Sequence, residues 1–138
     1  MDDDAQGPEA WEAPYPFQRL LGFRMTEWGP GLARFELPLK PALMNRYGIP
    51  HGGVYAALLD TVMGFAGSYT GDAGRRQMVM TLSMSVNFLG RPEGEVLLAE
   101  GRRTGGGRST YFAAGELTDA GGALVATAIG TFRYRRGG

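Results

Sequence analysis

Cysteine is absent from this 138-residue chain, and histidine occurs once, as His51. The first absence excludes disulfides, a thiol nucleophile and any thiolate metal site, and it leaves the redox compartment open. A single histidine cannot supply a two-histidine zinc motif. No GxSxG segment exists to seat a serine nucleophile. Charge of either sign is not in excess: the formal net charge is +0, so the overall basic field that gathers nucleic acid is missing and no nucleic-acid partner is expected. The first fourteen residues, MDDDAQGPEAWEAP, lack the positive start and apolar stretch of a secretory signal. They read as a disordered lead-in over 1–14, ahead of one domain over 15–136. The most apolar run, residues 52–69, approaches the length of a membrane span, but it carries Asp60 and several glycines. No membrane partner and a cytoplasmic location are expected.

What the chain does contain, 43% hydrophobic and 20% charged residues, suits one soluble globular domain with a real core. Residues 15–22 predict a short helix, and residues 23–28 and 32–37 predict a hairpin about Gly29-Pro30-Gly31. A Pro- and Gly-punctuated connection over 38–50 leads into the one long helix, over 51–69. From Gln77 to Phe88 the sequence alternates, with Met78, Met80, Leu82, Met84, Val86 and Phe88 on one face and Thr81, Ser83, Ser85 and Asn87 on the other. The methionine stripe reads as core, or as the wall of an adaptable pocket. Strands over 95–103, 109–117 and 123–134 follow, joined by Gly-rich turns. Two strands, a helix and four strands define an α+β chain: an antiparallel sheet of about six strands wrapped around one central helix.

At 100° per residue Val54, Leu58, Thr61 and Phe65 share one side of that helix, while Gly53, Ala56, Asp60, Gly64 and Gly67 share the other. Asp60 is the one charged side chain between His51 and Thr70. An unpartnered carboxylate on a buried helix costs several kcal/mol, so Asp60 must be paired, hydrogen-bonded or open to a water-containing site. The helix alone does not choose among these. Upstream, His51-Gly52-Gly53 stands at the predicted helix start, where the first backbone N–H groups lack intrahelical partners and the dipole is positive. Donors exposed there can hold a polarised carbonyl or a developing oxyanion.

The run NRYGIPHGG from Asn45 to Gly53, with LDT over 59–61, resembles the N-x-x-G-x-x-H-G-G-x(6)-D signature of PaaI-type hotdog thioesterases, the phenylacetate-pathway family. The resemblance extends over about residues 20–135, and Gly90 is its one local departure. It implies a hotdog fold, homodimers or homotetramers with active sites at the dimer interface, and an acyl-CoA substrate, aromatic such as phenylacetyl-CoA or its hydroxylated forms. It also implies roles. Asp60 is general base or nucleophile, the Gly52 N–H polarises the thioester carbonyl, and Asn45 positions water from across the interface. His51 holds the loop by local hydrogen bonds. The hydroxyl that assists the carboxylate falls on Thr81, with Ser83 as competitor, and Gly53 lies against the substrate. A thioester is electrophilic enough that one donor, one carboxylate and a positioned water suffice, so no metal or cofactor is expected. Medium-length aliphatic chains fit the residues as well.

Two other readings stay open: a non-catalytic acyl-CoA-binding module of the same fold, and an enoyl-CoA hydratase, which the glycines after His51 fit less well. Residues 104–109, TGGGRS, lack the lysine of a phosphate loop and join two strands, so they read as a hairpin turn. Arg102, Arg103 and Arg108 beside that turn are candidates for the CoA phosphates, and Arg133, Arg135 and Arg136 form a second candidate patch. Solvated surface charge is the competing reading for each.

Overall fold

A computed structural model describes residues 12–136, so most of the expected lead-in over 1–14 lies outside the described residues. Helix α1 (Pro16–Leu21) precedes the hairpin of β1 (Arg24–Gly29) and β2 (Leu32–Pro38). A 3₁₀ turn (Pro41–Leu43) leads to helix α2 (Gly52–Ala66), and four strands follow: β3 (Val79–Phe88), β4 (Val96–Gly106), β5 (Thr110–Asp119) and β6 (Leu124–Tyr134). All six strands form one sheet in the order β1-β2-β4-β5-β6-β3, and every neighbouring pair is antiparallel. The expected α+β architecture, six strands curled around one long helix, is the one observed.

The helix can lie close to the sheet because small residues line its bed. Ala33, Gly101, Gly115 and Ala128 stand in register across β2, β4, β5 and β6. A Cβ added to Gly101 would sit 2.3 Å from the Val62 carbonyl oxygen, so α2 backbone rests directly on that glycine. Val54, Tyr55, Leu58, Leu59, Val62, Met63 and Ala66 are buried against the sheet, where Phe35, Leu37, Leu97, Tyr111, Leu117 and Phe132 meet them. Burying such side chains contributes on the order of 1.5–3 kcal/mol each. Tyr111 fastens the helix end: its hydroxyl donates to the Met63 and Gly64 carbonyls, both at 3.0 Å. Burial, with help from neighbouring Tyr134 and Asp60, pushes that phenol far above its ordinary range, so it stays a donor.

Three expectations change. Helix α2 stops at Ala66 instead of residue 69, because Gly67 turns under the Tyr111 ring, leaving 2.1 Å for any Cβ there. The sheet covers only one side of α2. Thr61 and Phe65, expected on the bulky side with Leu58, instead join Asp60 and Gly64 around a cavity on the side the sheet leaves open. Thirdly, the alternation from Met78 to Phe88 does not hold one face throughout. A bulge between Thr81 and Ser83 makes Leu82 the extra residue, and one inserted residue reverses the faces of a strand. Val79 and Thr81 point to the helix before the bulge, as Met84 and Val86 do after it, while Met80, Ser83 and Ser85 face outward, Met80 in register with Arg133 and Ser83 with Thr131. The methionine stripe is therefore not a continuous core ridge: Met80 is 46% and Leu82 45% exposed.

Candidate active site

Asp60 lies in the middle of α2, half-buried. Thr81 Oγ1 donates to Asp60 Oδ1 at 2.6 Å, a short charge-assisted hydrogen bond that fixes the carboxylate on the open side of the helix. The bulge makes this possible, since it gives Thr81 the helix-facing side that a regular strand would have denied to it or to Met84. Ser83, the competitor for this role, sits beyond the bulge on the outer face with Thr104, Phe112, Ile129 and Thr131.

The carboxylate opens on a cavity of about 330 Å3. Its walls are Tyr15, Phe65, Met78, Val79 and Phe132, with Thr61 and Ser68 as polar members. Tyr15 comes from the residue before α1. Its phenol lies beside Thr61, whose own hydroxyl donates to the Ala57 carbonyl at 2.8 Å. Burial raises the Tyr15 pKa, with the negative charge of Asp60 adding to this against the opposing effect of the Thr61 hydroxyl, so Tyr15 stays protonated. At the rim, Arg76 pairs with Glu12 at 3.0 Å. Sequence reasoning missed Tyr15, Glu12 and Arg76. Nothing in their local pattern marks them, since contacts across 45 residues or more bring Tyr15 to the helix and Glu12 to Arg76.

The motif residues organise the start of α2. His51 is its N-cap, and the imidazole Nδ1 accepts the Gly53 N–H at 2.8 Å, which leaves Nε2 as the protonated nitrogen of the neutral ring. The Leu43 carbonyl accepts the His51 N–H at 2.9 Å and so ties the connection to the helix start. Asn45 Oδ1 accepts the N–H groups of Tyr47 at 2.8 Å and Ile49 at 3.3 Å, shaping the turn that carries Gly48 at φ 79°. The Asn45 amide nitrogen has no acceptor among the described residues. Gly52 opens the helix, and its N–H meets no acceptor among the described residues. The Phe88 ring stands 3.3 Å from where a Gly52 Cβ would be, so only glycine fits without moving it.

One separation governs what these parts can do. Asp60 stands eight positions after Gly52, and at 1.5 Å per residue that is about 12 Å along the helix axis. A single carbonyl cannot touch both. Asn45 likewise stays with the helix start and outside the Asp60 cavity. Among the predicted arginines, Arg102 pairs with Glu100 at 2.5 Å, and Arg103 donates to the Tyr134 hydroxyl at 3.0 Å while lying over the Tyr111 ring. Arg108 instead joins Arg133, Arg135 and Arg136 in a groove on the outer face. Among the described residues no group of three or more histidines, aspartates or glutamates could hold a metal ion, and no helix is long and apolar enough to cross a membrane.

The sheet, the helix and the HGG-to-aspartate spacing together define a hotdog protein of the thioesterase class. The family model described as "Thioesterase superfamily" matches residues 47–126, more than half of the chain, and the chain belongs to that superfamily. The Mycobacterium tuberculosis protein Rv1847, whose name carries a provisional esterase assignment, is 35% identical over 66 residues, covering 48% of this chain and 47% of that protein. The chain thus spans about half the length of the first curated relatives it matches. A thioesterase family protein of Silicibacter pomeroyi superposes with a TM-score of 0.78 at 26% identity, covering 94% of this chain and 96% of the other. The Escherichia coli PaaI protein of the phenylacetic acid degradation operon superposes with a TM-score of 0.80 at 18% identity, covering 95% and 92%. At that identity it is a likeness of fold.

Proposed function

We propose that this chain hydrolyses acyl-CoA thioesters to the free acid and CoA, with Asp60 as general base or nucleophile and residues 15–136 as the catalytic domain. The observation that carries the reading is the Asp60 carboxylate, oriented by Thr81 at 2.6 Å and facing a cavity with apolar and aromatic walls. The Gly52 N–H, free of an internal acceptor, is suited to polarise the thioester carbonyl. The cavity takes the acyl group. Tyr15, Phe65 and Phe132 in its wall favour an aromatic acyl chain such as phenylacetyl or hydroxyphenylacetyl. His51 acts by holding the Gly53 amide and the helix start, not by touching the reacting atoms.

The 12 Å between Gly52 and Asp60 calls for a second copy of the chain, so that Gly52 and Asn45 of one protomer face Asp60 of its partner in a homodimer. One open edge of the sheet fits such pairing: β3 has no neighbour on its outer side, and Leu82 at 45% and Phe88 at 57% are exposed along it. On the outer sheet face Phe112 at 50% and Ile129 at 66% make an apolar patch that a tetramer would cover. CoA esters are intracellular metabolites, and the enzyme is placed in the cytoplasm with them.

Mixing two inactive variants tests the shared site. Asp60→Asn and Asn45→Ala chains, refolded together, give mixed dimers with one intact site each, and the mixture should recover about a quarter of wild-type free-CoA release from phenylacetyl-CoA. Recovery of nothing contradicts the shared site. No release by wild-type protein from a panel of aromatic and aliphatic acyl-CoAs contradicts the hydrolase itself.

A further inference from the structure

Residues 12–15 run ahead of helix α1, and the two ends of this short arm stand on opposite sides of the Asp60 cavity. Tyr15 lies beside Thr61 of α2, while Glu12 pairs at 3.0 Å with Arg76, just before β3 begins. Three steps of extended chain reach about 10 Å, about the distance between packed layers of secondary structure. The arm therefore crosses from the helix to the sheet on the side of α2 that the sheet leaves open.

Its sequence keeps it extended and in place. Ala13 and Tyr15 each precede a proline, which disfavours the helical region for both, and Tyr15 is extended at φ −96° and ψ 169°. The Tyr15 carbonyl accepts the Arg19 N–H at 3.0 Å, its own N–H donates to Gln18 Oε1 at 3.4 Å, and the Arg19 guanidinium donates to the Pro14 carbonyl. The Tyr15 ring meets buried Phe23 edge to face, with centroids 6.3 Å apart. An exposed ion pair holds only weakly on its own, so these local contacts fix the Tyr15 end and the Glu12–Arg76 pair keeps the other end down.

The remaining walls are less free to vary. Phe132 is a core residue, and Phe65 and Val79 pack against the core. The arm belongs to neither the helix nor the sheet, so its side chains can change size without disturbing either. A space on the order of 150 Å3 holds one benzene ring, and the cavity of about 330 Å3 with Tyr15 in its wall suits an acyl group with a single ring and a short linker.

We infer that this arm sets the size of the acyl group accepted, with Tyr15 as the residue that determines specificity and the Glu12–Arg76 pair holding the arm against the cavity. The assignment rests on the acyl-CoA reading above. A one-ring acyl group fits beside Tyr15, and a fused two-ring group meets it.

Free-CoA release from phenylacetyl-CoA and 2-naphthylacetyl-CoA by the full chain tests the assignment. Wild type should favour the phenyl ester. Tyr15→Ala should raise the naphthyl-to-phenyl ratio of kcat/KM at least tenfold, and Tyr15→Phe, which keeps the ring, should hold the wild-type ratio. Leu20→Ala, at a site on α1 that is 68% exposed, should also leave the ratio unchanged. A merely structural role for Tyr15 would lower both esters together, so an unchanged ratio in Tyr15→Ala overturns the assignment. Tyr15→Leu, which keeps an apolar contact with Phe23, decides the same point should the alanine variant not fold. Arg76→Gln should shift the ratio about two- to threefold in the direction of Tyr15→Ala, and no shift removes the ion pair from the account. Should wild type release CoA from neither ester, the hydrolase reading fails, and calorimetric titration with phenylacetamide and 2-naphthylacetamide still decides the arm. Tyr15→Ala should then gain at least tenfold in affinity for the naphthyl amide relative to the phenyl amide, and no gain, or no binding of either amide, overturns the proposal.

Discussion

Thr81 Oγ1 and Asp60 Oδ1 stand 2.6 Å apart, across 21 residues of sequence, and the bulge at Leu82 is what lets them meet. The bond leaves the other carboxylate oxygen to face the cavity. A hydrogen bond to a charged group is worth about 1.5–3 kcal/mol, so Thr81→Val should lower kcat roughly 10- to 100-fold with KM nearly unchanged. Thr81→Ser should keep most of the activity. Steady-state kinetics of the two variants checks this, and a Thr81→Val enzyme with wild-type kcat would remove Thr81 from the site.

The bed of small residues under α2 makes a second prediction. Gly101→Ala would force a methyl to within 2.3 Å of the Val62 carbonyl oxygen, where backbone on both sides cannot yield. Overpacking of this kind costs about 1–3 kcal/mol. Gly105 lies further along the same strand with nothing within 4 Å of a Cβ there, so Gly105→Ala should stay within about 0.5 kcal/mol of wild type. Thermal melts of the two variants should differ accordingly, and equal melting temperatures would mean that α2 does not rest on Gly101.

Acid should find a different weak point. The Asp119 carboxylate accepts the backbone N–H groups of Glu93 at 3.0 Å, Ala123 at 2.9 Å and Gly121 at 3.0 Å, which clamps the β5–β6 turn to the segment before β4. These bonds, Glu93 and Ala123 first, hold its pKa below the ordinary value. A depressed folded-state pKa contributes stability that is fully present above the unfolded value of about 4 and is lost as pH falls through the folded one. Asp119→Asn should therefore melt below wild type at pH 7, and the gap should close as pH drops below about 4. A gap that stays constant with pH would show that the charge on Asp119 does not matter.

Much of this was legible in the sequence. The helix carrying Asp60 and the succession of two strands, one long helix and four strands follow from spacing and local chemistry, because each depends on neighbours within a few residues. The bulge did not. Leu82 is apolar and continues the Met78-to-Phe88 alternation without a break, so the strand reads as regular, and only pairing with β6 shows the extra residue. The end of α2 was misjudged for a similar reason: Gly67 is set by the Tyr111 ring, 44 residues away. Tyr15 in the cavity wall and Arg108 beside Arg133 are products of tertiary contact alone.

Free-CoA release from phenylacetyl-CoA by wild type and Asp60→Asn, compared side by side, tests the central claim most directly. The substitution keeps the shape and the bond from Thr81 while removing the charge. The circular dichroism spectrum and melting profile should be unchanged in Asp60→Asn, with turnover reduced at least 100-fold, the scale expected for loss of a general base or nucleophile. Wild-type turnover in Asp60→Asn would contradict it.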